Sequence, residues 1–356
     1  MKVNYVSAVI IIVVTLGMIA RLEASPIALK GDIRLRNQVE KKDGSEQRTR
    51  QRIRFRLKGK TEVSDQTQVT FGLATGSANQ RSTNQTLENS FQTPDIRLDY
   101  AFVSHKMTDE LTIFGGKMKN PLWTPSDLVW DSDINPDGAA FRYSRNMGLF
   151  DLILNTGVFV LDEIESDSNP SLFVVQPIAK IMIGDIKATG GLGFYFTKNV
   201  KNNKNLGYKD GADDFGNDRD KEYVPVVLSG QLDIHDKLGL ALIRPFGEIV
   251  YNTNSPASNA EKGGIAGVTF GHKNVNGFGT WQVKASYRYL QSDAWLDTLP
   301  DSDAYDGKTN SKGFEVSIKY GLTKAVAMRL DVYSMDVISG SSEKQTLAQL
   351  DLSVKF

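Results

Sequence analysis

Five arginines recur at every second position in two neighbouring segments, Arg34 and Arg36 in "IALKGDIRLRNQ" and Arg52, Arg54 and Arg56 in "RQRIRFRLKGK". A spacing of two places each set on one face of an extended strand. Guanidinium groups in such a row can hold anions, through charge and through forked donor geometry. A complementary set lies in "NPLWTPSDLVWDSDINPDG", which carries Asp127, Asp131, Asp133 and Asp137. Fixed charges of either sign along a narrow aqueous path sort solutes by charge and size, with no bond made or broken.

Reactive chemistry finds less support. The chain has three histidines, His105, His235 and His272, and none has a serine and an acid at a suitable spacing. That counts against a hydrolase built on a barrel, since acid–base work most often uses histidine. The cysteine count is zero, which removes disulfides, thiol catalysis and thiolate metal sites. "DSDINPDG" has the acid spacing of a calcium loop but places Pro136 where the sharp turn needs glycine. "GADDFGNDRDKE" reads as an acidic solvated loop. "GGLGF" after Thr189 lacks the strand–loop–helix setting of a phosphate loop. No cofactor and no metal are expected.

The elements that must carry the arginines follow from period-two alternation. Leu29, Ile33 and Leu35 oppose Lys30, Asp32, Arg34 and Arg36, and Ile53, Phe55 and Leu57 oppose Arg52, Arg54, Arg56 and Lys58. "DIRLDYAFVSH" places Ile96, Leu98, Tyr100 and Phe102 on one face. "FGTWQVKASYRYL" and "FEVSIKY" repeat the pattern, and the chain ends on "QLDLSVKF", with Leu350, Leu352, Val354 and Phe356 on one side. Several such segments reach 10 residues or more, long enough for a tilted strand to cross a bilayer and about twice a typical soluble strand.

The connections alternate in length. Short ones begin near Val63, Met107, Asn146, Ile183, Ile234, Lys273 and Gly321. Long ones cover about 39–49, 77–94, 120–138, 162–171, 198–222, 253–262, 292–312 and 339–344. Seven short and eight long connections join sixteen strands, with both ends of the chain on the short-turn side. The expected fold is an all-β, antiparallel transmembrane barrel of about sixteen strands, with short periplasmic turns and long extracellular loops. Ser302, in a long connection, is expected at the cell surface. A terminal phenylalanine then closes the barrel against lipid at the inner rim.

Residues 1–24 read as a secretory signal peptide, with a lysine at position 2, an apolar run from about Val6 to Ala20 and a small residue at Ala24. Residues 25–356 are then the barrel domain. Without the leader, 40 basic and 41 acidic residues remain, a balance that excludes nucleic acid as the main partner. A gated active transporter would place a plug before the first strand, and the interval after Ala24 leaves no room for one.

"ATGSANQRSTNQTLENSF" (Ala74 to Phe91) followed by "GGKMKNPLWTPSDLVWDSDINPDGAAFRY" (Gly115 to Tyr143) resembles the bacterial putative porin family of outer-membrane β-barrels. The resemblance is strongest over Gly31 to Tyr143, and "NPLW" departs from the family's more usual NPF. It implies an outer-membrane channel for passive diffusion of small hydrophilic solutes or ions, with the third long loop folded into the lumen against the basic wall. It also implies that Leu350, Leu352, Val354 and Phe356 form a signal for the outer-membrane assembly machinery, and that a homotrimer is one possible assembly. The arginines could instead be neutralised structurally by neighbouring acids such as Asp32, Asp95 and Asp99. The competing functional reading is a substrate-specific or adhesive barrel.

Overall fold

The computed structural model describes residues 25–165, 167–201, 203, 221–254 and 260–356. The leader expected over residues 1–24 and most of the acidic "GADDFGNDRDKE" segment lie outside them. The described chain runs through β1 (Ala28–Lys42), β2 (Arg48–Glu62), β3 (Thr67–Thr75), β4 (Gln85–Thr86), β5 (Ile96–Lys106), β6 (Leu111–Lys117), β7 (Asp137–Asn146), β8 (Asp151–Val160) and β9 (Ser171–Ile183). It continues through β10 (Ile186–Lys198), β11 (Pro225–Lys237), β12 (Leu240–Asn252), β13 (Lys262–Gly271), β14 (Trp281–Leu290), β15 (Ser311–Gly321), β16 (Val326–Val337) and β17 (Gln345–Lys355).

All pairings are antiparallel, and β17 returns to β1 with Leu352 opposite Leu35 and Asp351 opposite Arg36. The sheet therefore closes and has no free edge. Sixteen long strands make the wall. β4 is an addition of two residues that pairs with Arg52 and Ile53 of β2, above the point where the shorter β3 ends. A strand of 13 residues tilted by about 40° spans roughly 30 Å, the thickness of a bilayer's hydrocarbon. No helix among the described residues is long and apolar enough to cross a membrane.

Seven short connections fall on one side of the barrel, from 63–66 to 322–325, and the long ones fall on the other. The first long connection is tighter than the alternation implies: β1 and β2 stay paired up to Glu40 and Arg48, leaving only residues 43–47 as a turn. The two outer loops that matter most below are residues 118–136, the third, and residues 291–310, the seventh.

The alternation sorts side chains as hydrocarbon demands. Leu29, Leu35 and Phe314 stand 58%, 50% and 62% exposed on the outer face, whereas Arg36 and Glu315 are buried on the inner one. A guanidinium turned outward at mid-membrane would cost about 2–4 kcal/mol, so the inward placement is strongly specified. At the closing seam Gly31 donates its N–H to the Phe356 carbonyl at 2.9 Å, and the Phe356 N–H returns to Gly31 at 3.0 Å. The Phe356 ring covers Gly31 and stacks on Phe55, centroids 6.4 Å apart.

One strand departs from simple alternation. Between β3 and β5 the register jumps, with Leu73 opposite Leu98 but Gly72 opposite Tyr100, so Asp99 is an extra, bulged residue. A bulge exchanges the faces beyond it. Ile96 and Leu98 point outward and are exposed, whereas Tyr100 is buried inside, with the Lys119 Nζ 4.5 Å above its ring. The expectation that Ile96, Leu98, Tyr100 and Phe102 share one face fails at Asp99.

The barrel interior is not uniformly wet. Phe159 of β8, Leu172 and Val174 of β9, Tyr195 of β10, Val227 of β11 and Val250 of β12 all point inward and are fully buried. They pack against Leu128, Val129 and Trp130 of the third loop and against Trp295, Leu296 and Leu299 of the seventh. Trp295 meets Tyr195 edge-on at 4.8 Å and Trp130 at 6.3 Å. The third and seventh loops, with Val200 and Tyr223 from the connection after β10, thus fill one side of the lumen with a dry core. Ser302 belongs to the seventh loop, so it lies inside the barrel and not at the cell surface.

Candidate functional site

Because part of the lumen is packed, much of the open space lies along the other side, where the inward faces of β1, β2 and β15–β17 are charged. A cavity of about 600 Å³ runs there, lined by Arg34, Arg36, Arg54 and Arg56 on the wall and by Asp127, Asp131 and Asp133 across from it. A smaller cavity of about 200 Å³ is lined by Arg50 and Arg52 and shares Arg81, Ser82, Ser302 and Asp303 with the larger one.

The third loop reaches this position through polar pins to several strands. Gln176 of β9 accepts the Trp123 N–H at 2.9 Å and donates back to its carbonyl at 2.8 Å. Ser126 donates to Glu248 of β12 at 2.9 Å. Asp127 accepts from Arg288 of β14 and lies 3.5 Å from Lys284. Burial alone would raise the Asp127 carboxyl, but Lys284 and Arg288 outweigh it and hold it below the usual carboxylate range. An ion pair so enclosed fixes position, because either partner left alone would be a bare charge in a poorly solvated site.

The seventh loop locks onto the third. The Asp131 N–H donates to the Leu299 carbonyl at 2.7 Å, and the Asp131 carboxylate accepts the Ser302 N–H at 2.9 Å. Burial, with the neighbouring Asp133 charge, pushes the Asp131 carboxyl up to about 7. Asp301 is raised in the same direction, chiefly by burial and then by Asp127. Arg81, in the second loop, donates to the carbonyls of Asp297 at 2.8 Å, Pro300 at 3.2 Å and Gly307 at 2.8 Å. Gly307 has φ of 74°, and a Cβ there would fall 2.1 Å from the Arg81 guanidinium. Loops two, three and seven form one assembly.

The wall arginines differ in how far they are neutralised. Asp351 binds Arg36 at 2.7 and 2.9 Å and lies 3.3 Å from Arg34. Asp32 binds Arg54 at 2.7 Å and Arg56 at 2.9 Å. Across the gap Asp133 stands 3.7 Å from Arg56, and Asp303 stands 3.5 Å from Arg36. Among the described residues Arg52 meets no carboxylate; it donates to Gln38, to Ser82 and to the Asn84 carbonyl. Of the acids expected to neutralise the arginines, Asp32 does so. Asp95 pairs with Arg97 on the exposed rim and Asp99 binds Asn135 and Lys119, so neither meets the wall.

Of the loop acids, Asp131 and Asp133 face the open space. Asp127 also lines that space, but its partners Lys284 and Arg288 are both on β14, and Asp137 lies apart. It opens β7 at the outer rim, exposed, and pairs with Lys117 at 2.8 Å. The sequence reading passed over Asp351, Arg329, Lys319, Asp301 and Asp303, all of which line the main cavity. Lys319 and Asp351 sit on the polar side of strands whose alternation was already legible, Arg329 sits on β16, and the last two needed the seventh loop's inward course.

The histidines stand at short turns. His105 meets Thr67 at 2.8 Å, His235 the Ala241 carbonyl at 3.4 Å, and His272 the Trp281 backbone. No group of three or more His, Cys, Asp or Glu among the described residues could hold a metal.

A family model described as putative porin matches residues 23–176 and 199–356. No curated protein matches the chain in sequence. Among solved structures, OprB of Pseudomonas putida at high pH is similar with a TM-score of 0.61 and 11% identity, over 93% of this chain and 94% of that one. The outer-membrane channel DcaP of Acinetobacter baumannii gives 0.54 and 13%, over 93% and 97%. OmpT of Vibrio cholerae in its trimer form gives 0.54 and 12%, over 94% and 100%. At these identities the likeness is one of fold.

Proposed function

The chain belongs to the putative porin family, and on that premise we propose where this outer-membrane porin selects its solutes. It is a channel for passive diffusion, and the proposed selective element is the gap between the wall of Arg34, Arg36, Arg52, Arg54 and Arg56 and the loop carboxylates Asp131 and Asp133. The observation that carries this reading is the 3.7 Å approach of Asp133 to Arg56 beside the open cavity. Opposed fixed charges there create a strong transverse field, because packed loops exclude the water that would otherwise screen it. A polar solute aligns its dipole with that field and passes; an apolar one must break the ordered water and is held back.

Asp127 serves the same element by holding the third loop in place through Arg288. Residues 1–24 are proposed as the export leader and residues 25–356 as the mature barrel. The final strand, with Leu350, Leu352, Val354 and Phe356 exposed outward, is proposed as the surface read by the outer-membrane assembly machinery. A homotrimer is proposed as the assembled form. The low wall at β3, with Leu87 and Phe91 exposed on the second loop above it, supports an occluded outer face there.

The test is the reversal potential of the purified protein in a planar bilayer under a salt gradient. Replacing Arg52, Arg54 and Arg56 by glutamine should shift selectivity toward cations, and Asp133→Asn should shift it toward anions. Both shifts should shrink at high salt, since the Debye length falls from about 10 Å at 0.1 M to about 3 Å at 1 M. No shift from either set at low salt, with normal barrel yield, would place the selective element elsewhere.

A further inference from the structure

The strand register links inward side chains into a slanted row. Gln282 of β14 lies opposite Lys319 of β15, Lys319 opposite Arg329 of β16, and Arg329 opposite Asp351 of β17. Asp351 lies opposite Arg36 of β1, and Arg36 opposite Arg52 of β2. Because barrel strands tilt, a hydrogen-bonded row climbs the wall as it goes around. This one rises from near the short turn at 322–325 to the outer cavity at Arg52. Four of its six members are cations.

Its lower end differs from the constriction above. Lys319, Lys355 and Lys273 line the same cavity, the last from the connection 272–280 beneath it. Among the described residues none of the three side chains makes a salt bridge or hydrogen bond, in contrast to every wall arginine. The carboxylates on the neighbouring strands are occupied: Asp32, opposite Lys355, holds Arg54 and Arg56, Asp331 holds Arg329 at 2.6 Å, and Asp351 holds Arg36 and Arg34. Gln282, Asn274 and Ser353 add neutral polar groups around the lysines. Cations left without partners in a confined space bind whatever anion can enter, and an oxyanion uses both the charges and the polar donors.

We propose that the channel carries small oxyanions, solutes bearing carboxylate or phosphate groups, along this row, and that Lys273, Lys319 and Lys355 form their exit site. This rests on reading the barrel as a diffusion channel. Partial occupation suits the task. The acids already seated on the arginines weaken each step enough for release, while the free lysines draw the solute onward, and conduction needs both. A cavity of about 600 Å³ limits the cargo to small molecules.

The experiment adds inorganic phosphate or succinate to the short-turn side of a bilayer holding single channels of the mature protein, in dilute potassium chloride. Both anions should block the chloride current in a concentration-dependent way. Replacing Lys273, Lys319 and Lys355 together by glutamine should weaken that block at least about tenfold, the equivalent of 1.4 kcal/mol. The corresponding triple arginine variant should retain it, which separates lost charge from lost fold. Channels that conduct chloride but ignore both oxyanions would overturn the oxyanion assignment while leaving the channel intact. Folded barrels that pass no current at all would overturn both readings.

Discussion

Asp127 and Arg288 are bonded across the barrel interior although 161 positions separate them in the chain. One belongs to a loop, the other to the wall of β14, and both are largely shielded from solvent. Lys284 and Asp301 complete the cluster at 3.5 and 3.6 Å from its members. The contact converts a flexible connection into a fixed partition of the lumen.

Asp127→Asn should therefore loosen the third loop without preventing barrel closure. Removing the carboxylate leaves Arg288 with Asp301 alone, at a cost of about 3 kcal/mol, the lower end for a broken buried pair. Single-channel records should show a larger and noisier conductance, and the unfolding temperature in detergent should fall. Wild-type conductance and wild-type thermal behaviour together would mean that the Gln176 and Glu248 pins suffice.

The constriction should also respond to pH through Asp131. Its carboxyl, pushed up to about 7 by burial and by Asp133, loses its charge as pH falls through that value. The gap then becomes more positive, so the reversal potential should move toward anions between pH 8 and pH 6. The stability contribution has the matching sign. The folded state binds the extra proton between about 3.8 and about 7, so stability falls as pH rises across that window, and the loss is complete above it. Asp131→Asn should abolish the shift in reversal potential; a shift that persists in this variant would assign the titration to another group.

Deleting Phe356 should impair insertion into the outer membrane more than export. The ring covers Gly31 and stacks on Phe55 at the seam where β17 meets β1, so its loss uncovers backbone at the lipid edge. Cell fractionation and heat-modifiable gel mobility give the readout. Normal yield of the truncated barrel in the outer membrane would remove any role for the terminal ring.

Surface labelling can check the topology directly. A tag at Ser341, in the exposed eighth outer loop, should be reached on intact cells, whereas tags at Asp65 or Asn276 should not. A tag at Ser302 should also stay hidden, because that residue donates its N–H to Asp131 inside the barrel. Strong labelling at Asp65 would invert the barrel's orientation.

The strands were readable because hydrocarbon on one face and water on the other impose a period of two, visible around Arg34, Arg288 and Glu315 alike. Where that contrast vanishes, so does the signal. The inner faces of β8 and β9 carry Phe159, Leu172 and Val174 against apolar outer faces, because a dry loop core replaces water there. Apolar residues on both faces of a membrane strand were in retrospect the mark of a filled interior. The bulge at Asp99 was hidden for another reason: one inserted residue leaves composition unchanged and alters only the pairing. The inward course of the seventh loop depended on Arg81 finding three carbonyls far along the chain, a relation that no local pattern encodes.

The off-centre packing has a consequence for how such a wall can change over time. Sixteen strands set a circumference, and altering it demands the coordinated gain or loss of whole hairpins. Here the throughput is set instead by how much of the bore Trp130, Trp295 and their neighbours occupy. Single substitutions in two loops can thus recalibrate the aperture by small increments, while the staves of the cask stay as they are.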